Sequence, residues 1–217
     1  MALSGLQRAV KLACQVGLPR MALYGLYKVG LMTGHYRRLT DDRRPPTDEN
    51  GLPTTVHGLF TLPNHDQLAE ILGEDGQRTL ISQADEIVDG KFRMFGGEPV
   101  EIKLTFDRPL QHWTKYETDP QLLADLCSSV SDIKFIWEPA RFGWSYILGR
   151  AYYLTQNETY AETFWKYFEC FTDGNPPNLG PHWMNGQEVA IRLMALVWAG
   201  QVFGTPPIGS GETPSRR

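Results

Sequence analysis

The sequence predicts a mainly α-helical fold, built of antiparallel helical hairpins and preceded by N-terminal helices and a small β-hairpin. Three observations predict it. From about Asp119 to Phe203, apolar residues recur at three- and four-residue spacing, the period of a helix with one buried face. Turn signals cut this pattern at short intervals, so successive helices must double back as antiparallel neighbours. One stretch, Lys91 to Phe106, changes to alternation, the period of a strand. The chain has 217 residues, of which 41% are apolar and 12% aromatic. That is enough to bury one sizeable core, alone or with a small appendage.

The first region, 1–44, reads as basic helices. Its Lys and Arg residues outnumber its acids, although the whole chain carries a formal charge of -4. Lys11, Arg20 and Lys28 interrupt its apolar stretches, so no run approaches the roughly 20 residues that span a bilayer. No clear signal peptide is visible either. A basic amphipathic helix can lie on a membrane surface, but packing against the domain is the simpler expectation. The acidic balance gives no case for nucleic acid as a partner.

Region 45–118 is a lead-in. "TDDRRPPTDENGLPTT" reads as a surface loop or hinge. "HDQLAEILGEDGQRTLISQADEIVDG" reads as a helix that stops at a glycine. In "KFRMFGGEPVEIKLTF", Phe92 and Met94, then Val100, Ile102, Leu104 and Phe106, alternate around Gly96-Gly97 as a β-hairpin does.

Region 119–203 holds the helical hairpins. Asp119-Pro120 reads as a cap followed by a first-turn proline, and Glu138-Pro139 repeats the device. Trp144, Leu148, Ala151 and Tyr152 fall on one face of the helix that follows. Tyr160, Phe164, Tyr167, Phe168 and Phe171 line the next, and Val189, Leu193, Leu196, Val197 and Gly200 face the interior from the third. Periodicity alone does not separate an α-solenoid or an α/α toroid from a bundle. Residues 204–217, "GTPPIGSGETPSRR", form a polar Pro/Gly/Ser-rich tail of the kind that stays disordered.

Candidate chemistry lies in three clusters, of which the aromatic set "YYLTQNETYAETFWKYF" reads by its helical spacing as core rather than as a binding cleft. In "DIKFIWEPARFGW", Trp137 and Trp144 are platforms for a sugar ring, and the Arg141 guanidinium suits a carboxylate or sulfate. Residue type alone favours a plainer reading, with both tryptophans in the core and Arg141 paired to an acid such as Glu138. In "HWMNGQEVAIR", Asn185 is a helix cap. Glu188 three residues on completes a capping box and pairs with Arg192 one turn later. That account leaves His182, Trp183 and Gln187 unexplained. Cys14, Cys127 and Cys170 are odd in number and far apart, and the five histidines include no His-x-x-x-His pair. Neither a disulfide framework, a metal site nor a cofactor is expected.

The motifs Lys134-Phe135-x-Trp137-Glu138-Pro139-x-Arg141, Ala151-Tyr152-x-Leu154-Thr155, Tyr160-Ala161-x-x-Phe164-Trp165, Asn175-Pro176-Pro177-Asn178-x-Gly180 and Trp183-Met184-x-Gly186-Gln187-Glu188-Val189-Ala190-x-Arg192 together carry a resemblance. In order and spacing they resemble the N-terminal part of the heparinase II/III family of polysaccharide lyases, and the likeness runs from about Leu80 to Phe203. It implies an incomplete α/α toroid, and an acidic polysaccharide as the partner. The implied chemistry is β-elimination: a cation or amide neutralises the uronate carboxylate, a tyrosine or histidine removes the C5 proton, and an acid assists the leaving sugar. It also implies that Arg141, Asn185, Gln187, Glu188 and Arg192 line or brace the cleft, with Trp137, Trp144 and Trp183 near the sugar.

The family's Asn-His and tyrosine positions lie on later helices, followed by a β-sandwich. The only Asn-His here, Asn64-His65, stands in another context, so no catalytic base is assigned. A catalytically incomplete module is expected, completed by a companion chain or a C-terminal half. Leu193, Leu196, Val197 and Trp198 would then face solvent or that companion. The alternatives are a non-catalytic helical module that binds anionic glycan or a partner protein, and a hydrolase using Glu138 and Glu188 as paired carboxylates.

Overall fold

The computed structural model describes residues 17–41, 61–126 and 132–204. Residues 1–16, most of the expected loop, Cys14, Cys127 and nearly all of the C-terminal tail lie outside these. The described chain is mainly helical. Its elements are α1 (Leu18–Met32), α2 (His35–Asp41), α3 (His65–Val88), β1 (Lys91–Arg93), β2 (Pro99–Glu101), α4 (Trp113–Thr118), α5 (Pro120–Leu126), α6 (Lys134–Ala140), α7 (Ser145–Thr155), α8 (Glu158–Gly174) and α9 (Gly186–Phe203).

Local chemistry sets most of the boundaries. Asn64 and Gln67 form a reciprocal capping box at the start of α3, with the Gln67 N–H donating to Asn64 Oδ1 at 2.7 Å. This accounts for Asn64 without any catalytic role. Gly73, at φ 62° and ψ 176°, kinks the helix, and Gly90, at φ 86°, follows its end as expected. Asp119 Oδ1 accepts from the N–H groups of Gln121 and Leu122, so the Asp-Pro start of α5 forms as read. Asn157 Oδ1 caps α8, and only Gln156 and Asn157 separate α7 from α8, which pack together as a helical hairpin.

Two readings need correction. Glu138-Pro139 does not open a helix but ends one: Pro139 sits in the last turn of α6, where its φ suits the helix. Phe142, at φ 58°, then turns the chain into α7. The β-hairpin is shorter than the alternation suggests. Lys91, Phe92 and Arg93 pair antiparallel with Glu101, Val100 and Pro99, joined through a short 3₁₀ turn at Met94–Gly96. Beyond Glu101 the backbone leaves the ladder. The Ile102 N–H donates to Gly90 O, and Leu104 O accepts from the Asn175 side chain at 2.8 Å. An amide side chain therefore does there what a longer strand would have done.

The central helix is α7, which packs against α3, α8 and α9. Small residues at the crossings allow this closeness: Ala84, Ala151, Ala195 and Ala199 are fully buried, and Gly149 lies under the Trp198 ring. Phe142, Trp144, Phe164, Phe171 and Phe203 fill the rest of the core, and fully burying each such side chain contributes roughly 1.5–3 kcal/mol. Leu80, Ile87, Phe92, Ile102 and Leu104 belong to the same cluster, so the lead-in shares its core with the hairpins.

The aromatic face of α8 is inward as read, with Tyr160, Phe164 and Phe171 buried. The interior face of α9 is a correction. Its buried residues are Glu188, Arg192, Ala195, Ala199 and Phe203; of the residues read as interior, Leu196 packs partly buried against the core, Val189, Val197 and Gly200 are half-buried and Leu193 is exposed. The error arises because large apolar residues occupy both sides of this helix, while two charged residues take core positions. Leu193 is 59% exposed; Leu196, Val197 and Trp198 are half-buried.

Candidate functional site

Two stretches distant in sequence, α6 with its following turn and the segment 181–192, meet through their side chains. Arg141 follows the end of α6 and reaches Glu188 in the first turn of α9. Its Nε donates to Glu188 Oε2 at 2.5 Å and its Nη2 to Glu188 Oε1 at 2.7 Å, a bidentate fork. Its Nη1 donates to Glu138 on the other side. Arg141 and Glu138 each retain about a fifth of their side-chain exposure, whereas Glu188 keeps 4%. Hydrogen bonding to Glu188 raises the Arg141 pKa above the ordinary guanidinium value. Burial opposes this, and the Glu138 charge supports it.

Behind this pair lies Arg192, buried. Its Nε donates to Ala140 O at 2.6 Å and its Nη2 to His182 O at 3.2 Å, and its guanidinium lies over the Phe171 ring, 4.6 Å from the centroid. Desolvation pulls its pKa down to about 10, with the Glu188 charge opposing. Arg192 is thus a brace between α6, the Pro181–Trp183 turn and α9. It makes no hydrogen bond to Glu188, which corrects the expected i,i+4 pair. Nor does Glu188 complete a capping box, because Arg141 occupies both of its oxygens. Asn185 does cap α9, accepting from the Gln187 N–H at 2.8 Å.

The tryptophans divide. Trp144 is 2% exposed, donates from Nε1 to Pro139 O at 2.9 Å and packs on Phe142, Phe164 and Tyr167. It is a core residue that also borders the cleft beside Glu138, and so deeply buried a ring offers no open face for a sugar. Trp137 is half-buried and donates to Pro181 O at 3.0 Å, a third tie between the two stretches. Trp183 is half-buried beside Arg192. Gln187 is exposed. His182, which the sequence left unexplained, is 1% exposed between Phe106 and Phe171; desolvation, with help from Arg192, pushes its pKa down to about 3. A histidine so buried does not exchange protons with a polymer outside.

Glu138 also borders an open cleft of about 500 Å³, together with Gln83, Glu86, Phe92, Arg93 and Ile147. Arg93 makes its own fork to Glu86, at 2.9 and 2.6 Å. No pattern in the sequence joins these residues to Glu138, because α3 and β1 approach α6 only in the folded chain. The positive charges of Arg141 and Arg192 equal the negative charges of Glu138 and Glu188. Arg141 has engaged all three of its nitrogens, so its role here is to cross-link. Glu138 and Glu188 share that arginine from opposite sides, which is not how a hydrolase presents two carboxylates to one glycosidic bond. Among the described residues, no group of three His, Cys, Asp or Glu side chains is arranged to hold a metal. No family model matches the chain, and neither a curated protein nor a solved structure matches it.

Proposed function

We propose that the chain is the N-terminal helical module of a heparinase II/III-like lyase that acts on uronic-acid polysaccharide by β-elimination, its helices forming part of an α/α toroid. In this reading it shapes and braces the substrate cleft, while proton abstraction is supplied by later helices or a companion chain. One observation carries the proposal. Two of the motif blocks that carry the resemblance, 134–141 and 183–192 with the preceding Pro181, join through Trp137 to Pro181, Arg141 to Glu188 and Arg192 to Ala140. On this reading the three ties lock one cleft wall.

The exposed side chains around that lock, Gln187 and half-buried Asn185, Trp137 and Trp183, are the ones available to a sugar. The neutralised charges of Arg141 and the burial of His182 fit a bracing role better than a catalytic one. The test is to incubate the chain with heparan sulfate, alginate and related polyuronates. Retention on polyuronate but not on neutral dextran, weakening with salt and without ultraviolet-absorbing unsaturated product, is the expected result. Unsaturated product from the chain alone would show it to be catalytically complete, and no retention at any salt would remove the glycan from the proposal.

A further inference from the structure

Among the described residues, the N-terminal helical pair meets the rest of the chain through one side. Leu31 and Gly30 of α1 are buried, and the Tyr36 ring lies so close over Gly30 that an added Cβ would stand 2.7 Å from it. Tyr36 packs on Tyr27 and on Trp113 of α4, and Thr40 Oγ1 lies 2.8 Å from His112 Nε2. These contacts fix which side of α1 faces inward.

The opposite side is an apolar stripe. Leu18, Ala22, Gly25, Leu26, Val29 and Met32 follow each other at helical spacing, and among the described residues nothing covers them. The four large ones are between 55% and 84% exposed. At 100° per residue these positions span about a third of the helix circumference, the width of a face that normally seeks an apolar partner. A groove of about 540 Å³ continues it, lined by Leu26 and Val29 of α1, Leu39 of α2, and by His35 and Arg38.

The charge around this stripe is mainly positive. Lys28 stands beside it and Arg20 on the far side of α1, which has no acidic residue; α2 adds Arg37 and Arg38 against one acid, Asp41, and Glu117 interacts with Tyr27. Lys28 lies over the rings of Tyr24 and Tyr27, 5.5 and 5.8 Å from their centroids; Tyr24 is exposed, whereas Tyr27 turns inward onto Tyr36. A helix meant for another helix commonly carries both signs beside its seam. An excess of cations, with the exposed Tyr24 nearby, suits the anionic headgroup layer of a bilayer. No helix among the described residues is long and apolar enough to cross a membrane, so this one would lie in the interface plane.

We infer that α1 and α2 form a peripheral membrane anchor, with the Leu18–Met32 stripe entering the lipid boundary and Lys28, Arg37 and Arg38 meeting anionic headgroups. This goes beyond the glycan reading and does not depend on it. The test is co-sedimentation of the full chain with vesicles of phosphatidylcholine alone and of phosphatidylcholine mixed with phosphatidylglycerol. Binding to the mixed vesicles, weakened by salt, is expected. Lys28→Gln should weaken it about fivefold, the effect of roughly one basic residue near the surface. Leu26→Glu or Val29→Glu should weaken it at least about tenfold, since each removes apolar burial and adds a repelled charge. Both positions are exposed, so these variants should keep the parent melting temperature, which checks that folding is intact. Failure to bind either vesicle would overturn the inference, as would unchanged binding by Leu26→Glu. Concentration-dependent self-association that Leu26→Glu abolishes, without vesicle binding, would assign the stripe to a second copy instead.

Discussion

Arg141 reaches across 47 positions of sequence to clasp Glu188 with two parallel hydrogen bonds, and that clasp joins the end of α6 to the start of α9. Because Glu188 is buried, removing its partner leaves a carboxylate without its two hydrogen bonds, offset only by the nearby charge of Arg192. Arg141→Met should therefore destabilise the fold by about 3 kcal/mol, the lower part of the range for breaking a buried pair, since Arg141 itself is partly exposed. Glu138→Gln, on the more exposed side, should cost no more than about 1 kcal/mol. Urea unfolding of the two variants checks the order. Equal costs would mean that Glu188 is not the partner that matters.

The buried His182 makes stability pH-dependent. Its folded pKa, near 3, lies below the unfolded value of 6.5, so the unfolded chain binds the additional proton between those limits. Its contribution is fully present above about pH 6.5 and is lost as pH falls, at up to about 1.4 kcal/mol per pH unit. Unfolding free energy should thus drop between pH 7 and pH 5, and His182→Phe should flatten that part of the profile. A profile unchanged by the substitution would locate the acid sensitivity elsewhere.

What the sequence made legible was whatever is set by neighbours in the chain. The aromatic face of α8, the caps at Asn185 and Asp119, and the glycine after α3 all follow from local spacing and turn chemistry. Two kinds of feature were not legible. In α9, apolar residues surround the helix, so period alone could not show that Glu188 and Arg192 point inward. Their burial depends on Arg141, Ala140 and His182, which come from other segments. The Arg93–Glu86 fork beside Glu138 is likewise a product of tertiary approach, as is the tie from Trp137 to Pro181. For the candidate site, Arg141 beside Glu138 could be anticipated at three-residue spacing, whereas the second carboxylate could not. Trp144 was ambiguous by type, because the same indole serves a core or a sugar platform, and only its burial settles it in the core.

Gly149 permits the contact between α7 and α9. A Cβ there would stand 2.2 Å from the Trp198 ring, well inside van der Waals distance. Alanine would ordinarily favour a helix interior by up to about 1 kcal/mol. Here overpacking should reverse the sign and give a net loss of about 1–3 kcal/mol. Thermal melts of Gly149→Ala, with and without Trp198→Ala, separate the terms. The second change should recover part of the loss if the ring is the obstacle. An additive pair of losses would count against it.

At the mouth of the proposed cleft, Asn185 and Gln187 should behave differently although they are two residues apart. Asn185 accepts the Gln187 N–H and so terminates α9. Asn185→Ala should cost about 1 kcal/mol, and Asn185→Asp, which keeps the acceptor, should restore most of it. The Gln187 side chain is exposed and takes no part in that cap, so Gln187→Ala should leave stability within about 0.5 kcal/mol. On the glycan reading it should nonetheless weaken retention on polyuronate, because an amide at the mouth is suited to a uronate carboxylate. The discriminating measurement is retention against salt for the parent and Gln187→Ala at matched melting temperature. Indistinguishable curves would confine this stretch to holding the helix and remove Gln187 from the binding surface.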